Sequence, residues 1–120
     1  MQRRLQPSRV SVSPTRASVS VAELKGPDAL FIGPNDLHLA LFGSAPADFD
    51  SQPFLEVLDG IIAAGKRAQK PVGLLLPDGA KTRWARQRWG NDLTVLAIGG
   101  DVKALVGWMG AELRNGKSDL

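Results

Sequence analysis

Two polar residues, Asn35 and Asp36, follow directly after an apolar run and a Gly-Pro pair, and they are the best candidates for chemistry in this sequence. The run covers residues 29–32 without a polar break, and Gly33 and Pro34 end it. Such a run is typical of a strand buried on both faces of a parallel sheet. Ligands and catalytic groups collect at the carboxyl ends of such strands. A carboxylate there, beside backbone N–H groups, suits a divalent metal or a small anion.

The elements that would position this pair alternate regularly along the chain. Two further apolar runs, residues 72–76 and 93–98, predict strands without polar alternation. Helical patterns follow each predicted strand, and Asp101 opens the last helix. The apolar residues of this last helix recur at helical spacing and predict a buried stripe of Val102, Leu105, Val106, Met109 and Leu113. The order predicts an α/β fold with parallel strands and right-handed crossovers.

Residues 31–37 also carry a resemblance to a known family. Their sequence, Phe-Ile-Gly-Pro-Asn-Asp-Leu, resembles the Gly-Pro-(Ala/Asn/Ser)-Asp-Leu signature of the HpcH/HpaI aldolases, which are class II, metal-dependent pyruvate aldolases. The similarity continues to about Arg114 and covers the last three strands of that family's barrel. A chain of 120 residues is too short for a complete (β/α)₈ barrel. The resemblance therefore implies a partial barrel, the carboxyl-terminal part, over residues 21–116, with tails at 1–20 and 117–120.

The resemblance implies a lyase that cleaves or forms a carbon–carbon bond in 2-oxo acids, with pyruvate as the enolate partner. By the same resemblance, Asp36 would be a ligand of Mg²⁺ or Mn²⁺. Gly33, Pro34, Asn35 and Asp36 would bind the substrate. The family's metal-binding Glu and its catalytic Arg and His have no match in this chain, and Glu23 does not fit the Glu position. We therefore assign no catalytic residue and predict weak or no activity for this chain alone.

Several alternatives stay open from the residues themselves. Asp36 is about as well explained as a helix N-cap, and Asp78 and Asp101 are better explained as caps. His38, the only histidine, is better explained as a partly exposed loop residue than as a metal ligand. A non-catalytic barrel remnant that binds a small anion or another protein is the alternative function.

The charge is uneven along the chain. The net charge is +3, but residues 1–20 hold four Arg and no acidic residue, whereas the remainder has 11 Lys or Arg against 12 Asp or Glu. The first 20 residues predict a disordered tail, or alternatively a mitochondrial transit segment. The nearly neutral remainder argues against a nucleic-acid partner, and no apolar run is long enough for a membrane span. Absence of cysteine fits a cytoplasmic protein.

A basic, aromatic segment occupies residues 81–89. It could contact single-stranded nucleic acid, but we favour a solvated basic face with Trp84 and Trp89 turned inward. Trp108 is expected to pack within the last helix or at a subunit contact, because the resemblance implies a homo-oligomer in the full-length family.

Overall fold

The computed structural model describes residues 21–117, so the predicted tail over residues 1–20 and all but the first residue of the predicted tail over 117–120 lie outside the described residues. Residues 21–23 are helical. The elements that follow are β1 (Leu30–Ile32), α1 (Pro34–Phe42), α2 (Gln52–Arg67), β2 (Val72–Leu76), α3 (Gly79–Trp89), a 3₁₀ turn (Gly90–Asp92), β3 (Val95–Ile98) and α4 (Asp101–Lys117). Among the described residues, no helix is long and apolar enough to cross a membrane.

The three strands form one parallel sheet in the order β1-β2-β3. Leu30 lies beside Val72, and Leu74 lies beside Leu96. Parallel strands joined by helices are what the alternating apolar runs predicted, so the α/β fold is confirmed.

One face of the sheet, which we call the outer face, carries the core. Its residues are Leu30, Ile32, Val72, Leu74, Leu76, Leu96 and Ile98, of which Ile98, the last residue of β3, is exposed. Helices α2 and α3 cover this face with apolar side chains, including Phe54, Leu58 and Ala85, all of which are fully buried. Gly65 allows α2 to lie close to β2, because a Cβ added at this position would meet Val72 Cγ2. Helix α2 has its apolar residues at helical spacing, so one side of it faces the sheet.

The opposite face, which we call the inner face, is not covered by any helix among residues 21–117. It consists of Phe31, Gly73, Leu75, Val95 and Ala97, since alternate residues of a strand point to opposite sides. Phe31 is 60% exposed and Val95 is 50% exposed. The prediction that all three strands are buried on both faces is therefore wrong for β1 and β3. Only β2, in the middle of the sheet, is almost entirely buried.

Helix α4 departs most from expectation. No residue of it is buried, and its predicted buried stripe is 50–71% exposed. The helix begins at Asp101 as predicted, but its apolar residues do not pack against β3 in the single chain. Trp108 is exposed as well.

Candidate functional site

Asp36 lies in the first turn of α1, immediately beyond the carboxyl end of β1. Gly33 occupies the N-cap position, so the alternative that Asp36 itself caps the helix is wrong. The Asp36 carboxylate turns back toward the helix start, because a Cβ added to Gly33 would lie 3.7 Å from Asp36 Oδ2. The side chain is exposed. A negative charge at this end of a helix is favourable, since the helix dipole is positive there.

Backbone donors accompany that carboxylate. Pro34 is the first helical residue and has no N–H, while the Leu37 N–H already donates to the Gly33 carbonyl at 3.0 Å. In an α-helix the N–H groups of the first turn have no carbonyl partner within the helix. The amides of Asn35 and Asp36 are therefore the two donors that this turn can offer to an anion.

The side chain of Asn35 forms a structural hydrogen bond. Its Oδ1 accepts a hydrogen bond from the Ala47 N–H at 2.9 Å. This bond ties the loop between α1 and α2 to the end of β1. The Asn35 side chain therefore has its oxygen engaged with the loop, while its backbone N–H lies in the first turn of α1.

A groove of about 640 Å³ runs along the carboxyl edge of all three strands. Asn35, Pro77, Gly99, Asp101 and Lys103 contribute to its walls. Asp36 does not line this groove, so it lies beside the groove rather than inside it. Lys103 was not singled out from the sequence; a lysine two residues after Asp101, in the first turn of a helix that follows a strand, was the available signal. Its ammonium group donates to the Pro77 carbonyl at 3.1 Å.

The two other strand-end carboxylates behave as helix-start residues. Asp78 is the N-cap of α3, and its Oδ1 accepts the Lys81 N–H at 2.8 Å. Asp101 Oδ1 accepts the Val102 N–H at 2.8 Å at the start of α4. The prediction of a cap is confirmed for Asp78 and wrong for Asp101, because Asp101 is the first helical residue and the Ala104 N–H donates to the Gly100 carbonyl, which places Gly100 at the N-cap position. These hydrogen bonds hold each carboxylate against its own helix.

His38 is neither an exposed loop residue nor placed as a metal ligand. It lies in α1, is 6% exposed, and packs against the rings of Phe42 and Phe54 at centroid distances of 5.0 and 4.9 Å. Its Nδ1 lies 2.6 Å from the Ser44 carbonyl oxygen, which makes Nδ1 the protonated nitrogen. His38 therefore anchors the end of α1 to the core. The expectation of an exposed loop residue is wrong, because α1 is longer than a single turn.

The described residues do not complete a metal site. Among residues 21–117, no three His, Cys, Asp or Glu side chains lie close enough together to hold an ion. Asp36 supplies one carboxylate at the expected edge, and the protein ligands of Mg²⁺ usually number one or two carboxylates with water and substrate completing the shell. A single carboxylate at this edge is therefore what the described residues present.

The basic segment in α3 forms a solvated face with its indoles turned toward the protein, as predicted. Trp89 is buried, and Trp84 packs against the core at its edge. Trp89 Nε1 donates to Asp59 Oδ1 at 2.7 Å, and Arg88 forms an ion pair with the same carboxylate at 2.8 Å. These contacts join α3 to α2, so the aromatic residues serve packing here.

Comparison with solved structures shows extended similarity to one group of enzymes. The chain is similar to an HpcH/HpaI aldolase from Desulfitobacterium hafniense, with 25% identity and a TM-score of 0.74, over 88% of this chain and 39% of that chain. An HpcH/HpaI aldolase/citrate lyase family protein from Burkholderia cenocepacia gives 25% identity and a TM-score of 0.72, over 86% of this chain and 38% of that one. A citrate synthase variant shares the fold at 19% identity, with a TM-score of 0.70, over 88% of this chain and 44% of that one.

These matches confirm the resemblance and the partial barrel. The chain spans only 38–44% of the length of the structures it matches. No protein-family model and no curated protein matches the sequence.

Proposed function

Because the chain is similar to part of the HpcH/HpaI aldolases, we propose that it forms the carboxyl-terminal part of a lyase acting on 2-oxo acids such as pyruvate. One observation carries this proposal: the Asp36 carboxylate and the Asn35 and Asp36 amides lie together at the carboxyl end of β1. In this proposal the amides bind the substrate carboxylate, within the Gly33–Pro34–Asn35–Asp36 turn. Asp36 contributes one ligand to Mg²⁺ or Mn²⁺, and such an ion stabilises the enolate.

Electrostatics links the proposed metal ligand, Asp36, with the proposed binding of the substrate carboxylate by the two amides. An ionised Asp36 beside the helix start repels the carboxylate of a 2-oxo acid, even though the amides attract it. A divalent cation at Asp36 reverses the sign of the local charge. Binding of pyruvate should therefore depend on the metal, and this dependence is a sharper test than either affinity alone.

Catalysis by this chain alone is expected to be weak or absent. Asp78 and Asp101 are held as helix-start residues and His38 is buried against two phenylalanine rings. Each of these groups is thus engaged in the packing or the helix start of its own element. Acid–base groups and further metal ligands would have to come from residues beyond those described.

The experiment is a titration with Mn²⁺ followed by the paramagnetic broadening of backbone amide resonances, which detects weak binding and locates it. We expect broadening to be strongest around Asn35 and Asp36 and to disappear there in Asp36→Asn. Asp78→Asn is the matched control, because it removes a carboxylate at the neighbouring strand end and should leave the broadening unchanged. Broadening that survives in Asp36→Asn would contradict the proposal.

A second titration uses pyruvate with and without Mg²⁺. We expect the Asn35 and Asp36 amide resonances to shift only when the metal is present, and not in Asp36→Asn. An assay of aldol turnover with pyruvate and Mg²⁺ checks the expected inactivity. Robust turnover that is lost in Asp36→Ala would overturn the inactivity while supporting the site.

A non-catalytic module that binds a small anion is the second candidate. It is favoured by the fact that the described residues offer a single carboxylate rather than a cluster of ligands. Shifts caused by pyruvate without any metal, and unchanged in Asp36→Asn, would favour this candidate. We further propose that the protein is cytoplasmic and assembles as a homo-oligomer.

A further inference from the structure

Helix α3 carries an excess of positive charge, and only part of it is used within the fold. The helix has four Lys or Arg residues and no acidic residue. Two of these residues form ion pairs with the neighbouring chain segments. Lys81 lies 3.2 Å from an Asp50 carboxylate oxygen, and Arg88 lies 2.8 Å from one of Asp59. Half of the positive charge of α3 is therefore balanced by contacts with other elements.

The other two basic residues of α3, Arg83 and Arg86, keep their charge unbalanced. Both are exposed, and neither forms an ion pair with a carboxylate of residues 21–117. The carboxylates that flank the helix in sequence are engaged elsewhere, because Asp78 caps α3 and Asp92 is paired with Lys66 at 3.1 Å. Two guanidinium groups are thus left to act on something other than the fold.

The two arginines belong to a polar stripe that runs from α3 into the 3₁₀ turn. Arg83, Arg86, Gln87, Gly90 and Asn91 recur at intervals of three and four residues, the spacing of neighbours on one helix face. Together they line a cleft of about 380 Å³, which we call the arginine cleft. Gly90 brings no side chain into it, and a Cβ added there would enter open space. The cleft is therefore polar at its walls and open at its centre.

The chemistry of these walls suits one kind of ligand. A guanidinium group presents paired N–H donors that match the oxygens of a phosphate. Side chains three residues apart on a helix start from Cβ atoms about 5–6 Å apart, so both arginines can reach one ligand. A phosphate group has three terminal oxygens and can accept from both arginines, whereas the two oxygens of a carboxylate are matched by one. The pair therefore favours phosphate over carboxylate.

The end of the helix opposes an anion, but less strongly than the arginines attract it. The carboxyl end of a helix carries roughly half a negative charge, and α3 ends at Trp89. One carbonyl of this end, that of Arg86, already accepts the Gly90 N–H. Two full positive charges exceed the remaining partial charge, so the cleft stays attractive to an anion.

We propose that the arginine cleft binds a phosphate group, either as inorganic phosphate or as the phosphate of a small phosphorylated compound. Arg83 and Arg86 donate to the phosphate oxygens, and the side-chain amides of Gln87 and Asn91 supply further donors. Because the walls are polar, the charged group of the ligand carries the recognition.

This site is separate from the one at Asp36. Helix α3 begins after the carboxyl end of β2 and ends before β3, so it runs back toward the amino edge of the sheet. The arginine cleft shares no residue with the groove along the carboxyl edge. Loss of metal binding at Asp36 would consequently leave phosphate binding unchanged.

The experiment is a titration of the full chain with inorganic phosphate at constant ionic strength, followed by the backbone amide resonances. We expect saturable shifts confined to residues 83–91. Arg83→Gln and Arg86→Gln should each weaken binding by about tenfold, because each removes charge-assisted hydrogen bonds to the phosphate. Glutamine is nearly as good a helix former as arginine and both positions are exposed, so the circular dichroism spectrum should not change.

Lys81→Gln is the matched control, because it removes the same charge from the same helix but from a side chain that does not line the cleft. It should leave the affinity for phosphate nearly unchanged. Arg86→Lys separates charge from geometry: it keeps the charge but loses the paired donors, so its affinity should lie between those of the parent chain and Arg86→Gln. The absence of saturable shifts, or an equal loss in Lys81→Gln and Arg86→Gln, would overturn the proposal.

Further titrations identify the source of the phosphate group. Glycerol phosphate that binds more tightly than inorganic phosphate would assign the cleft to a phosphorylated compound, and glycerol phosphate that does not would assign it to the free ion. Acetate should bind about tenfold more weakly than phosphate, and equal affinity would contradict the proposed selectivity. Binding of a single-stranded oligonucleotide that Lys81→Gln weakens as much as Arg86→Gln would show a general basic surface instead and overturn the proposal.

Discussion

The two faces of the three-stranded sheet are built from the same strands and are equally apolar, yet only one of them is covered. Leu74 and Leu75 show the difference most directly, since they are neighbours in β2. Leu74 faces α2 and α3 and is fully buried, whereas Leu75 lies on the inner face and keeps part of its surface exposed. An apolar surface is therefore expected to pack against other groups, but its composition alone does not identify those groups.

Helix α4 extends the same contrast to a whole element. Helices α2 and α3 bury one side against the sheet, while α4 buries no residue. An isolated helix of 17 residues is only marginally stable in water, because most helix stability in proteins comes from packing. Both regions, the inner face and α4, are therefore expected to gain stability from any contact that covers their apolar side chains.

The largest loss of stability is expected when a buried side chain on the outer face is shortened. Leu74→Ala should lower the free energy of unfolding by about 3–5 kcal/mol, since it removes a fully buried side chain and leaves a cavity. Leu75→Ala, one residue away on the inner face, should cost about 1 kcal/mol or less, because its side chain is only partly removed from water. Denaturant unfolding of the two variants measures both. Equal losses would contradict the division into a covered and an uncovered face.

The second prediction concerns α4. If its apolar stripe packs against another copy of this chain, Leu105→Asp should weaken self-association by about tenfold or more, because a buried charge is costly. Glu112→Gln on the same helix should change it little. Sedimentation equilibrium of the full chain measures the association. A chain that remains monomeric at high concentration before any substitution would contradict the proposed homo-oligomer.

Much of the fold could be predicted because local patterns and tertiary structure agree here. The bounds of β2 and the start of α4 match the apolar run and the Asp101 helix start. The helical pattern expected after the first strand is confirmed by α1, which covers nine residues. Pattern alone predicted burial on both faces of β1 and β3. It could not show that the described helices cover only one face of the sheet.

The candidate site was predictable only in part. The position of Asp36 at the carboxyl end of β1 follows from a strand that ends at Gly-Pro. The roles of His38 and Asn35 depend on contacts with Ser44 and Ala47, which sit in a loop without periodicity. Such contacts are set by the course of the loop, and no residue pattern encodes it. The partial groove wall formed by Lys103 depends in the same way on how α4 leaves the sheet.

A smaller effect is expected at the start of α3, which helps to cover the outer face. Asp78→Ala should lower the free energy of unfolding by about 1 kcal/mol, because the Lys81 N–H loses its acceptor. Ser51→Ala at the start of α2 should cost a few tenths of a kcal/mol at most, since Ser51 occupies the N-cap position without a side-chain hydrogen bond. Thermal unfolding of the two variants compares them. A Ser51→Ala loss as large as that of Asp78→Ala would show that the hydroxyl caps α2 in solution.

The smallest predicted change is an increase in the free energy of unfolding, at the turn that joins α2 to β2. Gln69 has a φ of 56°, while its N–H donates to the Lys66 carbonyl and the Lys70 N–H donates to the Gly65 carbonyl. This is the Schellman arrangement at a helix end, in which glycine is preferred at the residue with positive φ. Gln69→Gly should therefore raise the free energy of unfolding by about 0.5–1 kcal/mol, the relief of strain being offset in part by the greater freedom of glycine in the unfolded chain.

Gln69→Ala serves as the control for that gain, because alanine keeps the strain of a left-handed conformation and should leave stability nearly unchanged. Helix α2 packs on the outer face, so the gain from Gln69→Gly should be the same in a Leu75→Ala background as in the parent chain. If the two changes in the free energy of unfolding did not add, the inner face would not be independent of the packing on the outer one, and the two sides of the sheet would have to be treated as one cooperative unit.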